Sequence, residues 1–83
     1  MNKKRLLQKV LTNSRNISFD ELASLIEAFG FRLDRTSGSH HIYKKTGIRE
    51  LVNIQDVKGK AKPYQIRQFL TIIERYNLLL EEE

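Results

Sequence analysis

Residues 17–34, ISFDELASLIEAFGFRLD, change hydrophobic period in mid-course, and no other stretch restricts the fold as much. Up to Phe29 the apolar residues Leu22, Leu25, Ile26 and Phe29 recur at helical spacing. Ser18 followed by Glu21 fits a capping box, and Ile17 with Leu22 fits the hydrophobic staple around it. Asp20 and Glu21 suit the positive end of a helix, and Gly30 can close it in a left-handed turn. The pattern predicts a helix over 18–29. Beyond Gly30, Phe31 and Leu33 alternate with Arg32 and Asp34, which predicts a strand.

Further elements follow from the same rules. Gly38 lies in TSGS and is free to take a positive φ, so that segment reads as a turn. HIYKK reads as a second strand, TGIR as another turn, and ELVNIQ as a third strand with Val52 and Ile54 on one face. Short strands joined by tight turns predict an antiparallel meander. DVKGKAKP reads as a basic loop, and Pro63 suits the first turn of a last helix with an apolar stripe of Ile66, Phe69, Leu70 and Ile73. LLLEEE then trails off. At the front, Leu6, Leu7, Val10 and Leu11 fit a short helix over 3–11, ended by TNSRN.

With 83 residues, one domain is expected, divided into a helical extension (1–17), a core (18–76) and a tail (77–83). The order is α-β-β-β-α behind a short N-terminal helix. This predicts an α+β fold in which one three-stranded antiparallel sheet carries two helices on one face. That is the layout of double-stranded-RNA-binding-like folds. The other sheet face is left to solvent or a partner.

Without cysteine, neither a disulfide nor a thiolate metal site is available. No stretch approaches the ~20 apolar residues of a membrane span. Gln8 and Lys9 interrupt the apolar run near the N-terminus, against a signal peptide. A cytoplasmic protein with no membrane association is expected. The formal net charge is +5, unevenly spread. Residues 1–17 carry five basic side chains and no acid, whereas 18–29 carry three acids and no base. Lys44, Lys45, Lys58, Lys60 and Lys62 belong to a basic block that favours a polyanionic partner, with a merely solvated surface as the plain alternative.

His40 and His41, the two histidines of the chain, stand side by side after Gly38 and Ser39. Imidazole takes and gives protons near neutral pH. Cleavage of RNA asks for such a group to deprotonate the attacking 2′-hydroxyl, with cations to stabilise charge at phosphorus. This chemistry requires neither metal nor cofactor. Gly38 and Ser39 would let a backbone approach a phosphate, and Lys44, Lys45, Lys58, Lys60 and Lys62 would hold it. Structural histidines, a hairpin glycine and a solvated lysine loop account for the same residues without catalysis. Tyr43 and Tyr64 read as partial core rather than as platforms for bases.

TSGSHHIYKK resembles the Gly-Ser-His-x-x-aromatic signature of HicA-family toxins, and KGKAKPYQIRQFL resembles the segment that opens their last helix. With LIEAFGFRLDR, the resemblance covers roughly residues 18–76. It implies a double-stranded-RNA-binding-like fold and a messenger-RNA-cleaving toxin of a type II toxin–antitoxin system. It also implies a HicB-type antitoxin that occludes the site, with association to DNA only through the antitoxin complex. The catalytic histidine it implies is His40, beside Gly38, and His41 is the substitute. One tension accompanies this assignment. If Ile42 is core and the strand is regular from residue 40, His40 faces inward; it faces outward if the strand starts at His41. A non-catalytic RNA-binding module is the alternative function.

Overall fold

The computed structural model describes residues 2–81. In chain order it contains α1 (Lys3–Thr12), a 3₁₀ turn (Ser14–Asn16), α2 (Phe19–Ala28), β1 (Arg32–Ser37), β2 (His40–Lys44), β3 (Val52–Gln55) and α3 (Pro63–Tyr76). The strands form one antiparallel sheet in the order β1-β2-β3. The α+β architecture is the expected one, and it is consistent with a double-stranded-RNA-binding-like fold.

Local chemistry explains each helix. The Asn2 side chain accepts the Arg5 N–H and starts α1, whose Leu6 and Val10 turn inward. The Asn13 side chain then caps the 3₁₀ turn. In α2 both halves of the capping box form: Ser18 Oγ accepts the Glu21 N–H at 3.0 Å, and Glu21 Oε1 accepts the Ser18 N–H at 3.0 Å. Gly30, with φ of +92°, makes the reversal into β1. Pro63 opens α3, and left-handed Asn77 ends it, while the Leu78 N–H donates to the Ile73 carbonyl.

The core lies between the helices and one sheet face. Leu22, Leu25 and Ile26 of α2 meet Ile66 and Phe69 of α3 and Tyr43, Val52 and Ile54 of the sheet. Phe69 receives Phe29 and Phe31 edge-on, with ring centroids 5.7 and 5.8 Å away. Leu6 and Val10 belong to the same cluster, so the N-terminal helix completes the core.

Several expectations need correction. The first strand runs on to Ser37, which shrinks the turn to Gly38 and Ser39. A bulge between Leu33 and Arg35 shifts its register, and Leu33 is exposed although Phe31 is buried. The buried stripe of α3 is Gln65, Ile66, Phe69 and Ile72; Leu70 and Ile73 lie at its margin.

The basic loop is an ordered hairpin. Val57 and Lys60 exchange both backbone hydrogen bonds across Lys58 and Gly59, whose φ values of +53° and +82° are those of a type I′ turn. This hairpin is pinned to the start of α2: the Phe19 N–H donates to the Gly59 carbonyl, and the Ala61 N–H to the Ile17 carbonyl. The tail also folds back. Leu78 and Leu80 pack on the core, and the Glu81 N–H reaches the Ala28 carbonyl at 2.7 Å. Glu82 and Glu83, the end of the expected tail, lie outside the described residues.

Candidate active site on the open sheet face

Side chains alternate across a sheet, so the cross-strand pairs of β2 and β3 assign every residue to a face. Tyr43 pairs with Val52 and His41 with Ile54, on the helix-covered side. Ile42 pairs with Asn53 and His40 with Gln55, on the open side. Ile42 is only half-buried, and Tyr43 is the core residue. The tension in the sequence reading therefore resolves differently from either expected way. The strand does begin at His40, yet His40 faces outward because Ile42 is not the inward residue.

The two histidines thus occupy different environments. The His41 ring rests on Phe19 at 4.7 Å between centroids, and its Nδ1 lies 3.3 Å from the Ser39 carbonyl, which can only accept. His40 stands on the open face with Nδ1 at 3.2 Å from Asn53 Oδ1. Packing against an aromatic restrains His41, whereas the outer edge of the His40 ring is free to meet a ligand.

The turn before them is closely tied to the third strand. Gly38 takes φ of +61° in the first loop position, as type II′ hairpins require, and a Cβ there would meet nothing within 4 Å. The backbone conformation, not crowding, calls for glycine. The Ser39 carbonyl accepts the Asp56 N–H at 3.0 Å, and Ser39 Oγ accepts from Gln55 Nε2 at 3.1 Å. The Gln55 N–H in turn donates at 2.8 Å to Oε1 of buried Gln65. One polar chain therefore links α3, β3 and the loop that presents His40.

The lysines divide into two groups. Lys44 lies 3.0 Å from Asp34, which also binds Arg35 at 2.5 Å. The Lys44 ammonium and then the Arg35 guanidinium hold the Asp34 carboxyl below its usual range by hydrogen bonding. Lys45 is ion-paired with Glu81, and its side chain is only 16% exposed. Lys58, Lys60 and Lys62 have no ion-pair partner among the described residues. Lys58 and Lys60 are exposed on the hairpin, and the Lys62 ammonium lies 5.8 Å over the exposed Tyr64 ring. Since Asp56 follows Gln55, which pairs with His40, this hairpin starts directly beside the histidine.

Burial raises the Tyr43 phenol, in keeping with its place in the core. Tyr64 is exposed instead of partly core. The polar partners Asn53, Gln55, Asp34 and Glu81 are not among the site residues expected from the sequence. The alternation of LVNIQ carried a signal for two of them: with Val52 and Ile54 inward, Asn53 must face outward, and Gln55 with it.

No helix among the described residues is long and apolar enough to cross a membrane. Comparison with curated proteins and with solved structures finds no match. The sequence profile of the HicA toxin of bacterial toxin–antitoxin systems matches residues 19–74, that is, α2 through most of α3, and leaves α1 and the returning tail outside. The matched span contains both histidines, the Gly38 turn and the basic hairpin, and such a toxin implies an antitoxin partner. The chain belongs to the HicA family of toxins.

Proposed function

We propose that this toxin is a metal-independent endoribonuclease that cleaves messenger RNA, with His40 as general base. The observation that carries this reading is the position of His40: on the open sheet face, held at Nδ1, beside a hairpin of unpaired lysines. Nε2 of His40 takes the proton of a ribose 2′-hydroxyl, and the resulting oxygen attacks the adjacent phosphorus. The 5′-oxygen leaves and takes a proton from water or a lysine; the products are a 2′,3′-cyclic phosphate and a 5′-hydroxyl. A positioned general base contributes ~10²–10⁴-fold. Lys58, Lys60 and Lys62 hold the phosphates with the amides around Gly38 and Ser39. Lys44 and Lys45 join them by exchanging Asp34 and Glu81 for phosphate oxygens.

The antitoxin in this reading is of the HicB type and silences the toxin by covering the open face. The reading needs no cofactor, and contact with DNA arises only within the antitoxin complex. Purified protein is to be incubated with labelled RNA in EDTA. The wild type should generate fragments with cyclic-phosphate ends, and His40→Ala should bind RNA without cutting it, while His41→Ala retains cleavage. A folded His40→Ala protein that cuts like the wild type refutes the assignment. Bound but intact RNA with the wild type would instead indicate a non-catalytic RNA-binding module.

A further inference from the structure

We infer that Asn53 is a positioning residue that selects the reactive tautomer of His40; this rests on the catalytic reading above. A neutral imidazole carries its proton on one nitrogen and offers the lone pair of the other. A base working through Nε2 must therefore carry its proton on Nδ1. Imidazole side chains in water favour the opposite form, with the proton on Nε2, so an outward-facing histidine needs a partner that reverses the preference.

Asn53 supplies one. It lies on the third strand diagonally across from His40, and its Oδ1 is 3.2 Å from Nδ1. A carbonyl oxygen only accepts, so the contact requires Nδ1–H and leaves Nε2 bare. The same oxygen still accepts Nδ1–H after Nε2 has taken the substrate proton, so the imidazolium keeps this partner throughout the step. The alternative amide orientation would place an N–H against Nδ1 and force the proton onto Nε2, where it would block the base. The two orientations therefore predict opposite reactivity.

The strand that carries Asn53 is held in place. Asn53 and Gln55 alternate with buried Val52 and Ile54, and the Gln55 backbone is fixed by Gln65. Gln55 in turn binds the Ser39 hydroxyl, one residue before His40. Gln55 thus ties the third strand both to α3 and to the turn that presents His40. Bound RNA would exclude water from this face, which strengthens the hydrogen bond when it is needed.

The test reads the proton position directly. Long-range ¹⁵N–¹H correlation of the His40 ring should show the Nδ1–H form in the wild type. In Asn53→Ala it should revert to Nε2–H, and in Asn53→Asp, which presents only acceptors, it should remain Nδ1–H. Steady-state cleavage by Asn53→Ala should lose on the order of 10-fold in kcat, less than removal of the base itself. KM should stay within about twofold, because no phosphate contact is removed. Asn53→Asp should recover kcat at alkaline pH. A wild-type ring protonated at Nε2, an unchanged tautomer in Asn53→Ala, or an undiminished kcat in that variant overturns the inference. Cleavage by His40→Ala at the wild-type rate refutes the catalytic reading, and the role of Asn53 with it. A dead His40→Ala beside a fully active Asn53→Ala removes Asn53 alone.

Discussion

Leu6 and Leu11 lie on the same helix outside the family match, and truncating each to alanine measures whether that helix is part of the core. Leu6 is 4% exposed and packs in the main cluster, while Leu11 is 59% exposed. Both changes remove the same atoms and alter helix propensity equally, so propensity cancels in the comparison. Leu→Ala in a core costs ~2–5 kcal/mol, combining lost transfer energy with the cavity left behind. α1 sits at the edge of the core and can settle inward, which places Leu6→Ala near the lower end, about 2–3 kcal/mol. For a domain of this size each kcal/mol lowers Tm by ~4–8 °C, so the melting point should fall by roughly 10–20 °C. Leu11→Ala should stay within about 0.5 kcal/mol of the wild type. Urea unfolding followed by far-ultraviolet circular dichroism, with m values compared, separates a stability change from a change in the unfolded state. Equal midpoints for Leu6→Ala and the wild type would show that α1 does not contribute to the core as its burial indicates.

Other consequences can be measured independently. The Lys9 ammonium, 2.8 Å from Glu21, holds the Glu21 carboxyl below its ordinary 4.5, aided by the Ser18 N–H. The folded value is the lower one, so this stabilisation is present above the unfolded pKa and disappears as the pH falls through the folded one. Lys9→Met should therefore flatten the acid limb of stability by under about 1 kcal/mol, since the pair is partly exposed; an unaltered limb would show that the pair contributes nothing. Replacing Lys58, Lys60 and Lys62 together by Gln in a His40→Ala background should make the log–log salt dependence of RNA affinity shallower by about 2, at ~0.7 per phosphate on a single strand. Fluorescence anisotropy at several salt concentrations gives that slope, and an unchanged slope would exclude the hairpin from phosphate binding.

The elements that could be read from the sequence were those specified by local chemistry. Ser18, Glu21 and Gly30 announce a helix and its ends wherever it packs, and all three behave as their chemistry dictates. The alternation of Val52 and Ile54 likewise gave the inward face of β3. What remained hidden depends on partners distant in the chain. Ile42 and Tyr43 are both plausible core residues, and only cross-strand pairing with Val52 makes Tyr43 the buried one. The orientation of His40 follows from that choice. Lys44 and Lys45 resemble free cations in the sequence, but a bulged strand brings Asp34 to one and a returning tail brings Glu81 to the other. The hairpin at Lys58 and Gly59 looks like a loop in the sequence because backbone bonds to Ile17 and Phe19, distant in the chain, hold it.

Adjacent identical rings on opposite sides of one strand also bear on how errors in pairing would be felt. A one-residue slip of β2 would turn His41 outward in place of His40, so an imidazole would still reach solvent. The same slip would drive Lys44 into hydrocarbon and bring Tyr43 out of it, a loss no swapped imidazole could offset. The tyrosine three places downstream is thus the anchor of the proposed chemistry, keeping the correct twin in view.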